Sequence, residues 1–290
     1  VMHRVRTIEG IREALTTPDH AGRRIGLVPT MGALHEGHLS LIRAARRDCD
    51  VVVVSVFVNP TQFNDQGDLA AYPRDEERDA HLASRAGADL LFVPDVDQMY
   101  PPGDSTTVSV RGVSEPLEGA QRGVGHFDGV ATVVTKLFIA VGPDVAYFGQ
   151  KDAQQVAVVQ RLVADLALPV TIEVCPTVRE PDGLAMSSRN VRLHPADRQR
   201  ALALKVGLDR AAAAITAGSA PREAERQGTA TMMTLGVEPE YLAVVDPATF
   251  LPAEDLTKPA LAVVAAPVGD VRLIDNLPIP PRDAGRTDHP

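Results

Sequence analysis

Residues Pro29–His38 read PTMGALHEGH. His35 and His38 are three apart, so on a helix they share one face of the first turn. The segment follows the strand-like run Arg24–Val28 (RIGLV), which ends at Pro29, and precedes the helical spacing of Leu39, Ile42 and Ala45 within Glu36–Arg47. It therefore sits at a strand-to-helix junction. Such a junction offers four free N–H groups and the positive end of a helix dipole, which together attract an anion. Gly32 and Gly37 let the backbone approach a ligand closely. Two imidazoles over that terminus suit a phosphate whose negative charge grows in a transition state. A zincin pair needs i,i+4 spacing with Glu between, and this spacing differs. A bare His-x-x-His is otherwise ordinary surface histidine; the preceding buried strand and the central glycine favour nucleotide binding.

Four further segments carry chemistry-bearing side chains. In Val58–Phe63 (VNPTQF), Asn59 and Gln62 offer neutral donors and acceptors able to read a hydroxyl or carboxylate, and the same residues also fit an Asn-Pro turn closing a strand. In Gly125–Val130 (GHFDGV), His126 precedes an apolar helix, where a ligand contact and a solvated helix end fit equally. In Phe148–Gln155 (FGQKDAQQ), Lys151 and Gln155 stand at i,i+4, and Asp152 suits either a helix cap or a ribose hydroxyl. A lysine at a helix N-terminus opposes the dipole, a misfit that a bound polyphosphate would resolve. In Val178–Asn190 (VREPDGLAMSSRN), Met186, Ser187, Ser188 and Arg189 gather two hydroxyls and a guanidinium suited to β and γ phosphates, while Ser-Ser is also a plain cap signal. No Walker A loop, no Gly-x-Gly-x-x-Gly in strand–helix context and no Gly-x-Ser-x-Gly elbow is present.

The elements that must position these residues alternate. Val51–Val58 is apolar on both faces except Ser55, as a strand buried in a parallel sheet reads. Arg74–Ala86, Val130–Val141 and Gln154–Leu166 read as helices; Asp89–Val93, Val145–Phe148 and Val170–Cys175 read as strands. The pattern predicts an α/β fold, a parallel sheet with helices on both faces, with its chemistry just after Val28, Val58 and Phe148. After about residue 177 the character changes. Helices over His194–Thr216 and Arg222–Leu235 precede strand-like runs at Tyr241–Val245, Ala260–Ala266 and Val271–Ile274. We therefore expect a catalytic domain over 1–177 and a smaller α+β domain over 178–290 ending in a mobile ten-residue tail. The alanine cluster Ala211–Ala214 reads as helix-forming composition.

Composition bounds the partners. The chain has 290 residues, 29 Lys+Arg against 38 Asp+Glu, a net charge of −9, no Trp and 4% aromatics. An acidic chain with few aromatics is a poor match for nucleic acid. Cys49 and Cys175 belong to no Cys-x-x-Cys pair, so neither a disulfide framework nor a zinc knuckle is expected. No apolar run spans a bilayer, and the charged N-terminal stretch shows no signal-peptide h-region, so a soluble protein of a reducing compartment is expected.

Taken together and in this order, the five motifs resemble the pantoate–β-alanine ligase family, over residues 20–195 and more weakly at Leu273–Asn276 (LIDN). The resemblance implies a Rossmann-like nucleotidylyltransferase domain with a C-terminal lid, in a cytoplasmic homodimer. It implies that ATP, pantoate and β-alanine give pantothenate, AMP and pyrophosphate with Mg²⁺. Carried onto this chain, Met31, Gly32, Ala33, Leu34, His35, Glu36, Gly37 and His38 line the ATP site, with His38 as proton donor. Gln62 holds pantoate and touches β-alanine; Gln155 holds pantoate. Gly149, Gln150, Lys151 and Asp152 bind ATP, the Val178 backbone meets adenine, and Met186, Ser187, Ser188 and Arg189 close over the phosphates. The family usually has Phe-Gly-Glu-Lys-Asp and often Tyr next; this chain has Gln150 and Ala153 there. Another adenylyltransferase would share the His-x-Gly-His run but not the paired Gln62 and Gln155. A non-catalytic nucleotide-binding module would be expected to have lost one of His38, Lys151 and Arg189, all of which are present.

Overall fold

A computed structural model describes residues 2–64, 66–123 and 125–282. Contacts divide the chain into two compact units. The first runs to Gln150 and resumes over Gln155–Val178; the second takes Lys151–Gln154 and the residues from Arg179 onward. Residues 151–154, expected with the catalytic domain, thus group with the second unit. One cause is a hydrogen bond there, from Asn276 Nδ2 to the Lys151 carbonyl at 2.9 Å.

The first unit is built on six parallel strands: β1 (His3–Val5), β2 (Ile25–Thr30), β3 (Val51–Val56), β4 (Leu90–Phe92), β5 (Val145–Gly149) and β6 (Thr171–Cys175). Their order is β1-β4-β3-β2-β5-β6. The chain steps outward from β2 through β3 to β4, then returns to place β5 on the other side of β2. That reversal is the switch point at which parallel sheets bind ligands, beyond the carboxyl ends of the strands. β2 and β3 stay paired to Thr30↔Val56, whereas β2 and β5 pair only at Gly26↔Val145 and Leu27↔Ala146. The two central strands therefore part towards their carboxyl ends. β2 continues through Pro29, where it was expected to stop, because Pro29 lies beyond the last β5 rung and its missing N–H breaks no bond to that strand.

The β-branched run Val51–Val54 is buried on both faces. Helix Glu36–Asp48 packs Leu39, Ile42, Ala44 and Ala45 into a core shared with Val28, Val52, Val54 and Leu91. Each fully buried Leu, Ile or Val there contributes about 1.5–3 kcal/mol. The helix expected over Val130–Val141 starts earlier, at Gly125, and the one expected from Arg74 starts at Glu76 with Asp75 as its cap, its Oδ1 accepting the Arg78 N–H at 3.0 Å. Strand β1 and helix Ile8–Thr16 were not anticipated; the apolar spacing there is short.

The second unit packs helices Pro195–Arg200, Leu202–Thr216 and Pro221–Thr234 with an antiparallel sheet, β7 (Tyr241–Val245), β8 (Ala260–Val268) and β9 (Val271–Ile279). One helix was expected across His194–Thr216; it divides at Ala201, where the Leu204 N–H bonds three residues back to the Ala201 carbonyl. The two long helices cross at small residues: a Cβ on Gly228 would lie 2.7 Å from the Gly207 carbonyl oxygen. Ala211 and Ala214 are buried, so the alanine cluster serves packing as well as helix propensity. β9 runs on past the expected Ile274 to Ile279. Of the expected tail, residues 283–290 lie outside the described residues. Arg282 is anchored, its guanidinium donating to the Ile215 and Ser219 carbonyls.

Candidate active site

The loop after β2 is held from below. Thr30 Oγ1 donates to the Ser55 carbonyl at 2.7 Å and accepts the Gly32 N–H at 3.1 Å. Gly32 and Ala33 both take left-handed backbone, at φ +84° and +50°. The Ala33 and Leu34 N–H groups then point at one carboxylate, Asp79, at 2.8 and 2.7 Å. Asp79 is 1% exposed on helix Glu76–Ala86. Burial raises its pKa, against the lowering pull of the Leu34 and Ala33 amides. Sequence reading assigned Asp79 no role; a lone acid in a polar helix gives no signal of what it will reach.

His35 caps helix Glu36–Asp48: its Nδ1 accepts the Gly37 N–H at 3.2 Å, and His38 Nδ1 accepts the His35 N–H at 3.4 Å. The two rings lie with centroids 4.1 Å apart. Because each Nδ1 is an acceptor, a neutral ring carries its proton on Nε2 and donates from there. Of the first backbone donors at this helix, the His35 and Gly37 N–H groups already have side-chain acceptors within the cap, and in the preceding loop the Ala33 and Leu34 N–H groups are taken by Asp79. Leu34, expected at the nucleotide, also buries its side chain completely in the core. Glu36 turns along the helix to pair with Arg43.

The VNPTQF segment is a turn, Pro60–Gln62, capped by Asn59, and it also aims a side chain. Asn59 is 1% exposed. Its Oδ1 accepts from Tyr100 Oη at 2.8 Å and Thr61 Oγ1 at 2.9 Å. Burial raises the Tyr100 pKa, so the phenol stays a donor. Asn59 Nδ2 must therefore be the donor to Gln62 Oε1 and the Gly129 carbonyl, both at 3.1 Å. This fixes the Gln62 amide with Nε2 outward, 2.9 Å from Met31 Sδ. His126, left open in the sequence, lies in the first turn of helix Gly125–Val141 with its Nδ1 2.8 Å from the Gln62 carbonyl. Met31, Gln62, Asn59, Tyr100 and His126 thus form one network. Gly149 ends β5, Gln155 is half-buried at the start of helix Ala153–Asp165, and Val178 is the last residue of the first unit.

Within the second unit, Lys151 and Asp152 lie in the short turn Gln150–Asp152, Nζ to Oδ1 at 3.5 Å. Asn276 holds the Lys151 carbonyl, while Arg179 grips neighbouring Asp275 in a two-bond fork at 2.7 and 2.9 Å. Arg179 Nη2 also reaches the Asn276 carbonyl at 3.2 Å. The segment after Val178 folds back on itself through the Arg179–Ala185 bridge. Asn190 staples it to Glu180 at 2.9 Å, and Arg198 pairs with Glu180 and Asp182. Ser187 is the cap of turn Ser188–Arg192, its Oγ accepting the Arg189 N–H at 3.3 Å. The cap reading of Ser-Ser therefore holds for Ser187.

The pantoate–β-alanine ligase family model matches residues 3–278. The chain belongs to the pantoate–β-alanine ligase family. It is 53% identical over 275 residues to the pantothenate synthetase of a Chelativorans species, covering 94% of this chain and 96% of that one. A pantothenate synthetase from Cereibacter sphaeroides is 52% identical over 276 residues, covering 95% and 99%. The structure of pantothenate synthetase from Thermus thermophilus superposes with a TM-score of 0.91 at 48% identity, covering 97% of this chain and all of that one. A Francisella tularensis pantoate–β-alanine ligase, complexed with β,γ-ATP and β-alanine, gives a TM-score of 0.79 at 34% identity over 96% and 97%. The chain is accordingly an enzyme, a ligase that joins pantoate to β-alanine to make pantothenate.

Proposed function

We propose that the loop after β2, the Asn59–Gln62 turn, Gly149–Asp152, Gln155, Val178 and Met186–Arg189 bind ATP, pantoate and β-alanine in a two-step synthesis. In the first step a pantoate carboxylate oxygen attacks the α-phosphorus of ATP. The bond from that phosphorus to the bridging oxygen breaks, and pyrophosphate leaves with the electron pair. In the second the β-alanine amine attacks the pantoyl-adenylate carbonyl, AMP leaves, and the amine gives up a proton.

The carboxylate is itself the nucleophile, so the protein's task is orientation and charge stabilisation. The observation that carries this reading is the close, tilted His35–His38 pair, with both Nδ1 atoms engaged as acceptors and Nε2 the proton-bearing atom of each neutral ring. His38 and His35 donate to phosphate oxygens as charge builds. Lys151, Ser187, Ser188 and Arg189 add positive charge and donors. Gln62 presents Nε2 to pantoate and β-alanine; the thioether of Met31 beside it is a weak acceptor that a substrate oxygen readily replaces. Gln155 binds pantoate. Gly149, Gln150 and Asp152 meet the nucleotide, and the Val178 backbone faces its adenine. Residues 178–290 act as the lid over the water-sensitive adenylate.

Mg²⁺ belongs to this proposal as the counter-ion of the polyphosphate. Among the described residues no three His, Cys, Asp or Glu side chains gather as a metal cage. No helix of the described residues is long and apolar enough to cross a membrane. A cytoplasmic homodimer completes the proposal.

Purified protein with ATP, pantoate and β-alanine, each omitted in turn, tests the two steps. AMP and pyrophosphate release that requires pantoate, and pantothenate that requires β-alanine, is the expected pattern. Nucleotide hydrolysis independent of pantoate would refute it. Replacing His38 or Lys151 by alanine should each lower turnover by about 10²–10³.

A further inference from the structure

We infer that Asp79 is a positioning residue for the nucleotide step: its buried carboxylate holds the loop that sets His35 and His38 in place. This rests on the proposed placement of ATP at those histidines.

The loop is not at rest by itself. Two successive residues, Gly32 and Ala33, are left-handed. That conformation costs a residue with a side chain about 1–2 kcal/mol, so surrounding structure must impose it on Ala33. Asp79 does so with both oxygens, Oδ2 on the Ala33 N–H and Oδ1 on the Leu34 N–H. The approach leaves no slack, as a Cβ on Gly32 would sit 2.9 Å from Oδ2 and 3.0 Å from Val56 Cγ1. The residue after Leu34 is His35, which must leave in extended backbone, φ −135° and ψ 175°, to cap the helix. The caps that fix both imidazoles therefore begin where the carboxylate lets go.

A carboxyl group suits this task and its amide isostere does not. Two converging N–H groups need two acceptor oxygens. An asparagine would turn an NH₂ group towards one of them, leaving a buried donor facing a donor. The distant origin of the clamp, on helix Glu76–Ala86, separates it from the loop it shapes.

The test uses Asp79→Asn with three readouts: hydrogen exchange of peptides spanning residues 30–38, steady-state kinetics in ATP, and kinetics in β-alanine. Expected are faster exchange in that loop, a loss of about tenfold or more in kcat/KM for ATP, and an unchanged KM for β-alanine. Glu77→Ala, on the same helix and paired outward with Arg4, should leave all three unchanged. Unaltered exchange and ATP kinetics in Asp79→Asn overturn the inference, as does faster exchange with normal ATP kinetics. If Asp79→Asn does not fold, Gly32→Ala displaces the carboxylate from the other side and should give the same pattern; its failure to do so counts equally against the inference. His38→Ala run alongside separates the two ideas. Impaired His38→Ala beside normal Asp79→Asn removes the clamp alone, whereas normal ATP kinetics in both removes the nucleotide site and the clamp's role with it.

Discussion

Gly129→Ala is the most telling single-methyl perturbation. Gly129 lies in helix Gly125–Val141 directly against the turn that carries Gln62. A Cβ there would stand 2.6 Å from the carbonyl carbon and oxygen of Thr61 and 2.7 Å from the Gln62 nitrogen. These are main-chain atoms, so no side chain can rotate away. Reaching the 3.4 Å of ordinary contact requires helix and turn to separate by about 0.8 Å. Two energies then compete. Replacing a mid-helix glycine by alanine gains about 1 kcal/mol, while overpacking costs about 1–3 kcal/mol. The net loss of stability is thus at most about 2 kcal/mol, and the protein should stay folded at assay temperature. Activity should suffer more. A shift near 1 Å in a substrate-positioning group costs about 10²-fold, and this shift also pulls on the Asn59–Gly129 and His126–Gln62 hydrogen bonds. Pantothenate formation with pantoate varied, alongside a thermal melt, gives the comparison. We expect kcat/KM for pantoate to fall by about 10²-fold with a melting shift of only several degrees. Wild-type kinetics would refute the reasoning, and so would an activity loss matched by the fraction unfolded.

Further outcomes follow from the same geometry. Asn276→Ala removes the donor on the Lys151 carbonyl; we expect about a tenfold loss of kcat with KM for pantoate retained, and normal kcat would show that Lys151 needs no such support. Arg179→Ala strands the buried Asp275 carboxylate and should destabilise the second unit by about 3–5 kcal/mol, read by urea unfolding; a loss below about 1 kcal/mol would contradict that pairing. For Asp79, whose folded pKa is raised by burial, the folded state holds the proton more tightly than the unfolded chain. Its contribution to stability is therefore full below the ordinary carboxylate pKa and is lost as pH rises through the raised folded value. Unfolding free energies of the wild type and Asp79→Asn from acid to neutral pH should diverge in that direction, the wild type losing ground as pH rises; a constant difference would contradict it. Gln150→Glu, which restores the family residue beside Lys151, should cost less than about tenfold in turnover, since the lysine already has a carboxylate neighbour in Asp152.

Much of this protein is local in origin and so was legible in its residues. The run Val51–Val54 can be satisfied only inside a sheet covered on both faces, and alternation with helical spacing then dictates a parallel sheet. His35 and His38, three apart at a strand-to-helix junction, share the first turn as their spacing requires, with ring centroids 4.1 Å apart. Boundaries were less legible where tertiary contacts override propensity, as at Pro29, carried within β2 because its β5 partner has already turned away, and at Gly125, drawn into a helix ahead of the apolar stripe that begins at Val130.

What the sequence determined by itself is the set of chemical groups and the fold class: histidines, a lysine, two glutamines and an arginine at strand edges and loops, in the order of one ligase family. What only the tertiary structure decided is how those groups are oriented. Asp79 lies 45 residues from Leu34, Gly129 lies 70 from Asn59, and Asn276 lies 125 from Lys151. Contacts at such separations leave no periodicity to read, because the partners meet only once the strands are paired. The outward face of the Gln62 amide follows from such partners, and so does the left-handed turn of the loop. Hydrogen-bond direction is a property of pairs, and the pairs exist only in the folded chain.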